Sequence, residues 1–558
     1  MEIITKQISS LEKIRNLGDI PSCGISDISL LKGESFSYQI IIANDSQVCL
    51  PSPLRAEVSL NSKLSDFITL YSVKNAVMDL PAYEDSDDDY ITKTPGTMPD
   101  ILIPLSKQNN LITFGGEPAS IWVKIDIPND FAFGQYKAEI SLTAYNPTSP
   151  ENNFSTVHTL NINIINVNLP KSRLFYSQWI HLDCIARAHN VDIYSKAHWD
   201  LIDRYVHTAA KMGINTILTP VITPPLDTAV GKKRPCIQLV KIEKNASGYS
   251  FDFSLLKKWI DLCHKNSIEY FEISSLFSQW GIERAPNIIV CENGKESYMF
   301  DEKVSARDKR YKEFLESFLP ALAEFFKNEG IENNCFFHIS DEPGKEHLEN
   351  YKYAYNLVSN LCPGFIFRDA VSDIDFYETG LIKEPIVATD HIQLFLKKGV
   401  PNMWAYYCCA QSHDVANRFL SMPSYRNRII GLQLYKYDIK GFLHWGYNFY
   451  FSQLSLYEIN PYITTSADKA FPSGDAFSVY PGEDGPLLSL RAVIFKEALQ
   501  DISLCALLES YIGKEKVVEL IENTAKMELT FSEYPKNSEF IQILNSKMKR
   551  MICDIVNK

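Results

Sequence analysis

Asp341 and Glu342 are adjacent carboxylates at the end of an apolar run, Cys335 to Ile339, and a Pro343-Gly344 break follows them. Two carboxylates held side by side do not ionise independently, because charging one raises the proton affinity of the other. The result is a side chain able to donate a proton near neutral pH, as general acid–base chemistry requires. The apolar run reads as a strand, and the polar stretch Glu346 to Ser359 reads as a helix. In a strand–helix repeat the pair then sits at the carboxyl end of a strand, where barrel enzymes keep their chemistry. Helix capping is the structural alternative for an acid before a proline, but capping needs only one of the two.

The elements that must position this pair follow from the rhythm of the chain. After Leu169-Pro170 strand and helix signals alternate. Candidate strands are Phe175–Asp183, Asn215–Pro220, Tyr270–Ser275, Cys335–Glu342, Phe365–Ala370, Ile386–Asp390, Asn402–Tyr407 and Gly441–Asn448. Candidate helices between them are 197–212, 255–265, 305–328, 346–359 and 424–437, with connections too short for regular helices after strands five and six. This alternation predicts a (β/α)8 TIM barrel over residues 168–487. Residues 1–167 carry short alternating runs such as Ser35 to Ile42 and Ile121 to Ile127, which predict an all-β sandwich. Residues 488–558 predict a helical C-terminal extension packed on the barrel, so the chain is multidomain. The acidic stretch Glu84 to Asp89 reads as a solvated loop.

The strand ends collect further chemistry. Strand one offers His181 and Asp183, the loop after strand three Gln279-Trp280-Gly281, strand five Asp369, and strand six Asp390 and His391. Strand seven offers Trp404, Tyr406 and Tyr407, and strand eight Trp445, Tyr447 and Asn448. Acids alternating with aromatic rings suit a sugar, whose C–H faces stack while its hydroxyls are held. His181 and Asp183 read equally well as a buried hydrogen-bonded pair, and His338 as a core histidine. Strand seven supplies no carboxylate, although a common retaining design places its nucleophile there, about 5–5.5 Å from the acid. An attacking group from the substrate itself, the 2-acetamido oxygen, fills that gap. It needs one acid for the leaving oxygen and a neighbouring carboxylate for the acetamido nitrogen.

Composition excludes other classes. The 558-residue chain carries a net charge of −13, which disfavours nucleic acid and anionic membranes as partners. No run reaches the roughly 18 apolar residues of a membrane span. The start, Met1 to Gln7, shows no signal peptide, and the twelve cysteines form no C-x-x-C pair, so a cytoplasmic, thiol-reduced protein is expected. No metal pattern such as H-E-x-x-H occurs, and no cofactor is expected. A homodimer is compatible with the sequence.

At these residues the chain resembles glycoside hydrolase family 123, the β-N-acetylgalactosaminidases. The matching stretches are Trp179 to Asp183, Phe277 to Gly281, Ser340 to Pro343, Trp404 to Cys408, Gly441 to Gly446 and Tyr480 to Pro486. The resemblance spans about 175 to 510. It implies retaining, substrate-assisted exo-hydrolysis of terminal β-linked N-acetylgalactosamine from a glycan or glycoconjugate. It implies Glu342 as acid/base and Asp341 as the acetamido-orienting carboxylate. His181, Asp183, Trp280, Asp390, Trp404, Tyr406, Tyr407, Trp445 and Tyr447 are the candidate sugar contacts. Ser274-Ser275 stand where close relatives are expected to carry a histidine. Two other readings stay open: a different glycosidase on the same scaffold, inverting through Asp183 or Asp390 or specific for β-N-acetylglucosamine, and a catalytically silent carbohydrate-binding protein.

Overall fold

The computed structural model describes residues 3–44, 54–105, 110–113, 116–145 and 153–557. The chain forms two compact units, one of residues 1–172, 414–436 and 487–558, the other of residues 173–413 and 437–486.

The first unit contains two five-stranded sheets. Period-two alternation builds its core. In Ser35–Asn44 the residues Tyr38, Ile40 and Ile42 face Ile121, Val123 and Ile125 of the antiparallel partner Ala119–Asp126 and the apolar face of the other sheet. Helices Leu490–Ile512, Lys514–Ala525 and Ser538–Val556 belong to the same unit. The sequence places residues after 487 as an extension against a barrel. In the structure they group with the sheets, as does 414–436, through buried ion pairs: Arg491 with Asp100 at 2.9 Å, Lys549 with Glu34 at 2.5 Å, and Arg428 with Glu497 and Asp501 at 2.6 and 2.8 Å. The Glu84 to Asp89 stretch is not simply solvated. Asp87 forms a two-point ion pair with the fully buried Arg426, and Asp89 accepts the Tyr425 hydroxyl. A partner more than 300 residues away leaves no local trace.

The second unit is organised around one eight-stranded parallel sheet. Its strands, in chain order, are Phe175–Gln178, Thr216–Thr219, Tyr270–Ile273, Cys335–Phe337, Ile366–Phe367, Ile386–Ala388, Trp404–Tyr406 and Gly441–His444. They lie in the order five-four-three-two-one-eight-seven-six, so sequence neighbours are adjacent except for five and six at the two ends, and strand one adjoins strand eight. An isolated parallel bridge joins Ala370, three residues past the fifth strand, to Ile386 of the sixth. All eight positions expected from the sequence carry a strand. Amphipathic helices follow the early strands. Lys196–Lys211 is capped by Ser195 and buries Trp199, Ile202, Val206 and Ala209 along one face. After strands five and six the helices are only Asp375–Glu378 and Ile392–Lys397. Trp179, Leu218, Phe336, Ile386, Trp404, Tyr406 and Leu443 form one buried hydrophobic cluster of this unit. A smaller four-stranded sheet, Lys241–Asn245, Gly248–Asp252, Ile288–Glu292 and Lys295–Phe300, interrupts the alternation and was not expected.

Candidate active site

The carboxylate pair lies just past the fourth strand, where His338 to Ser340 continue in buried, irregular backbone. Glu342 has φ +47, a left-handed conformation that is costly for a residue with a Cβ. Strain of this kind persists where surrounding contacts enforce it, and functional sites are its usual location. Here the contacts come from the loops after strands two and three. Gln279 donates from Nε2 to Oδ2 of Asp341 at 2.7 Å, and its own Oε1 accepts from the Asp227 amide at 2.6 Å. The Trp280 amide donates to the Asp341 carbonyl at 3.2 Å, and the Ser340 hydroxyl donates to the Ser278 carbonyl at 2.9 Å. The seventh strand contributes Tyr406, whose hydroxyl donates to Oε1 of Glu342 at 2.8 Å.

The electrostatics follow from this enclosure. Asp341 is pushed up to about 7, first by burial and then by the charge of Glu342, with Gln279 and His338 pulling the other way. The Tyr406 phenol is held well above its ordinary value by burial and by Glu342, so it stays a hydrogen-bond donor. Among the described residues Oδ1 of Asp341 and Oε2 of Glu342 have no hydrogen-bond partner. These two atoms remain for an incoming ligand.

Below the pair lies a second charged group. Glu272 in the third strand accepts from Trp179 Nε1 at 2.8 Å and pairs with His338 Nε2 at 2.9 Å, while His338 Nδ1 faces Asp369 at 3.3 Å. To one side, Arg234 grips Asp183 through two hydrogen bonds of 2.8 and 2.7 Å and donates to Nδ1 of His181 at 3.2 Å. His181 donates from Nε2 to the Trp445 carbonyl at 3.1 Å, and burial with Arg234 lowers its titration to about 3. It is therefore a neutral ring in a locked orientation.

The structure brings together Asp341, Glu342, Tyr406 and the backbone of Trp280, and separates other expected contacts from them. Trp404 begins its strand, is wholly buried, stacks on Phe175 and lies against Gly441. That makes it a packing residue and corrects the expectation of sugar stacking. Tyr407 alternates to the outer side of the sheet and packs edge-on against Phe442 and His444, and Tyr447 is buried with its hydroxyl on the Tyr205 carbonyl. Neither presents a face to a ligand. His181 and Asp183 are buried in the Arg234 cluster. Asp390 is solvent-accessible and holds His391 and Gln411. Trp445 is partly buried, with its Nε1 on Asp475 at 3.0 Å. Among the described residues no three His, Cys, Asp or Glu side chains are grouped to hold a metal ion, and no helix is long and apolar enough to cross a membrane.

Gln279, Arg234, Asp227, Glu272 and Asp475 were not assigned a role from the sequence. Glu272 and His338 did leave a signal: each is a lone polar residue inside an apolar strand run, Tyr270 to Ile273 and Cys335 to Ile339. Such residues need a buried partner. Arg234, in the run Lys232-Lys233-Arg234, left none.

Comparison with known proteins places these observations in context. The family model described as "Glycoside hydrolase 123, catalytic domain" matches residues 179–508. A family 123 glycoside hydrolase from Clostridium perfringens, described in terms of glycolipid glycan hydrolysis, is similar in fold, with a TM-score of 0.72 at 17% identity, covering 100% of this chain and 98% of that one. A family 5 mannosidase from Rhizomucor miehei aligns with a TM-score of only 0.32 at 10% identity, over 60% of this chain and 94% of that one, and carries no argument. No curated protein matches the sequence.

Proposed function

The chain belongs to glycoside hydrolase family 123, and from that membership we propose that it is a retaining exo-glycosidase releasing terminal β-linked N-acetylgalactosamine by substrate-assisted catalysis. In this reading the parallel sheet is a closed (β/α)8 barrel, supported by the sequential strand order and the bridge from Ala370 to the sixth strand.

The observation that carries the proposal is the division of labour within the pair. Glu342 has Oε1 engaged by Tyr406, so Oε2 carries the acid proton to the glycosidic oxygen. As the C1–O bond breaks, the substrate's acetamido oxygen forms a bond to C1, and Oδ1 of Asp341 receives the acetamido N–H. Positive charge develops on the resulting oxazolinium ring. Burial and the charge of Glu342 make Asp341 costly to ionise even with Gln279 and His338 acting on it, so its interaction strengthens as that positive charge appears. Stabilisation that grows toward the transition state is what accelerates a reaction. Glu342, now ionised, then takes a proton from water that attacks C1, opens the ring and leaves the β configuration retained.

The absence of a carboxylate from strand seven supports a nucleophile supplied by the substrate. The locking of Asp183 by Arg234 argues against an inverting route through that residue. The glycolipid glycan named for the Clostridium protein suggests a glycolipid headgroup as one source of the terminal sugar here. Hydrolysis of aryl β-GalNAc, β-GlcNAc and β-Gal glycosides tests the proposal. Cleavage confined to acetamido sugars, a β anomer formed first by proton NMR, and inhibition by a thiazoline mimic are expected. Equal turnover of the β-Gal glycoside overturns it.

A further inference from the structure

We propose that His338, clasped between Glu272 and Asp369, is a positioning residue: it anchors the backbone from which Asp341 and Glu342 project and biases the ionisation of Asp341. The proposal rests on reading that pair as the reacting groups.

The geometry begins with two carboxylates that are completely buried, Glu272 on the third strand and Asp369 after the fifth. His338 lies between them with Nε2 at 2.9 Å from Glu272 and Nδ1 at 3.3 Å from Asp369. A neutral imidazole has one donor and one acceptor nitrogen, so one lone pair would face a carboxylate. Only the doubly protonated ring satisfies both partners. In agreement, the two carboxylates overcome the effect of burial and raise His338 to about 10.

This cluster is joined directly to the reacting pair. Both oxygens of Asp369 accept from the Ile339 amide, at 3.0 and 3.1 Å, and Asp369 also accepts the Tyr351 hydroxyl. Glu272 is held in addition by Trp179. Ile339 is two residues before Asp341, and Ser340 between them is tied to Ser278. The main chain is thus fixed up to the strained Glu342. The charged groups acting on Asp341 are Glu342 and Asp369, which raise its titration, and His338, which lowers it. Arg368, the other buried cation nearby, pairs with Glu384 and lies over Phe336 and Trp404. His338 is accordingly the positive charge that keeps Asp341 ionisable beside Glu342 and the buried Asp369.

Two substitutions with opposite charge effects test this. His338→Gln removes the cation and is expected to move the acid limb of the kcat/KM profile up by roughly one pH unit. Asp369→Asn removes an anion and is expected to move it down, with KM unchanged. Loosened backbone alone does not produce opposite displacements. Histidine-selective nitrogen NMR of the intact wild-type protein gives a readout free of turnover: one ring, absent from His338→Gln, stays doubly protonated at pH 8. If His338→Gln does not fold, the other variant and the NMR pH series decide. Limbs that move together or not at all, or no ring remaining doubly protonated at pH 8, overturn the proposal. A protein that cleaves no aryl β-glycoside defeats the functional reading instead, and the NMR result then stands alone.

Discussion

Tyr406, the last residue of the seventh strand, donates its hydroxyl to Oε1 of Glu342, just past the fourth strand, at 2.8 Å. The bond fixes which carboxyl oxygen is left to carry a proton. A hydrogen bond to a charged group contributes about 1.5–3 kcal/mol. Tyr406→Phe should therefore lower kcat by roughly 10- to 100-fold with little change in KM, measured by steady-state hydrolysis of an aryl β-GalNAc. A normal kcat in this variant removes Tyr406 from the site.

Glu342→Gln tests the acid role through the leaving group. Positioned proton transfer typically supplies about 10²- to 10⁴-fold. The loss should be near the top of that range for an alkyl glycoside, whose oxygen needs the proton, and much smaller for a dinitrophenyl glycoside during glycosidic bond cleavage. A loss independent of the leaving group contradicts the assignment.

The Asp341 carboxyl titrates at about 7, against 3.8 in its ordinary state. The folded chain thus holds this proton more tightly than the unfolded chain. The associated stability is complete below the unfolded value and disappears as pH rises through about 7. Two results follow. The kcat/KM of the wild-type protein should fall as pH drops below about 7, because the proposed reaction uses the ionised carboxylate. Asp341→Asn should be nearly inactive and yet melt roughly 2–4 °C higher at pH 8. A lower melting point would place Asp341 in the structural framework rather than the reaction.

Arg234 and Asp183 form a buried ion pair, both almost wholly enclosed. Removing one partner of such a pair leaves an uncompensated charge and costs about 3–5 kcal/mol. Arg234→Met should show that loss in chemical denaturation, and Arg234→Met with Asp183→Asn should recover most of it. If the single variant keeps its stability but loses sugar affinity, Arg234 and Asp183 contact the ligand.

The eight strands were legible because each is a short apolar run between turn signals, and the pair was legible because two acids end one of those runs. What escaped was whatever depended on partners far away in sequence. Glu272 and His338 showed only that something buried must meet them, and Arg234, in the run Lys232-Lys233-Arg234, left no signal. Trp404 and Tyr406 are two residues apart and look equivalent in Trp404-Ala405-Tyr406. Their depth along the strand separates them: Trp404 packs against Gly441 and Phe175, and only Tyr406 reaches Glu342. The small four-stranded sheet was invisible because it interrupts a strong alternation with short, half-exposed strands.

Trp280 differs from the buried tryptophans. It is 51% exposed, follows the glutamine that holds Asp341, and donates its own amide to the Asp341 carbonyl. Its φ of +54 is unusual for a bulky side chain and is kept by those contacts. In the proposed reaction, an exposed indole beside the carboxylate pair is suited to stacking on the group beyond the cleaved bond. Trp280→Ala should leave hydrolysis of a small aryl β-GalNAc within about twofold. It should reduce kcat/KM by about tenfold for an oligosaccharide ending in the same sugar, the worth of one aromatic stacking contact. Equal losses on both substrates would mean that the backbone of Trp280, through its hold on Asp341, matters and its ring does not. A Trp280→Phe variant separates the two, since it keeps a stacking face on the same strained backbone and should recover most of the oligosaccharide activity.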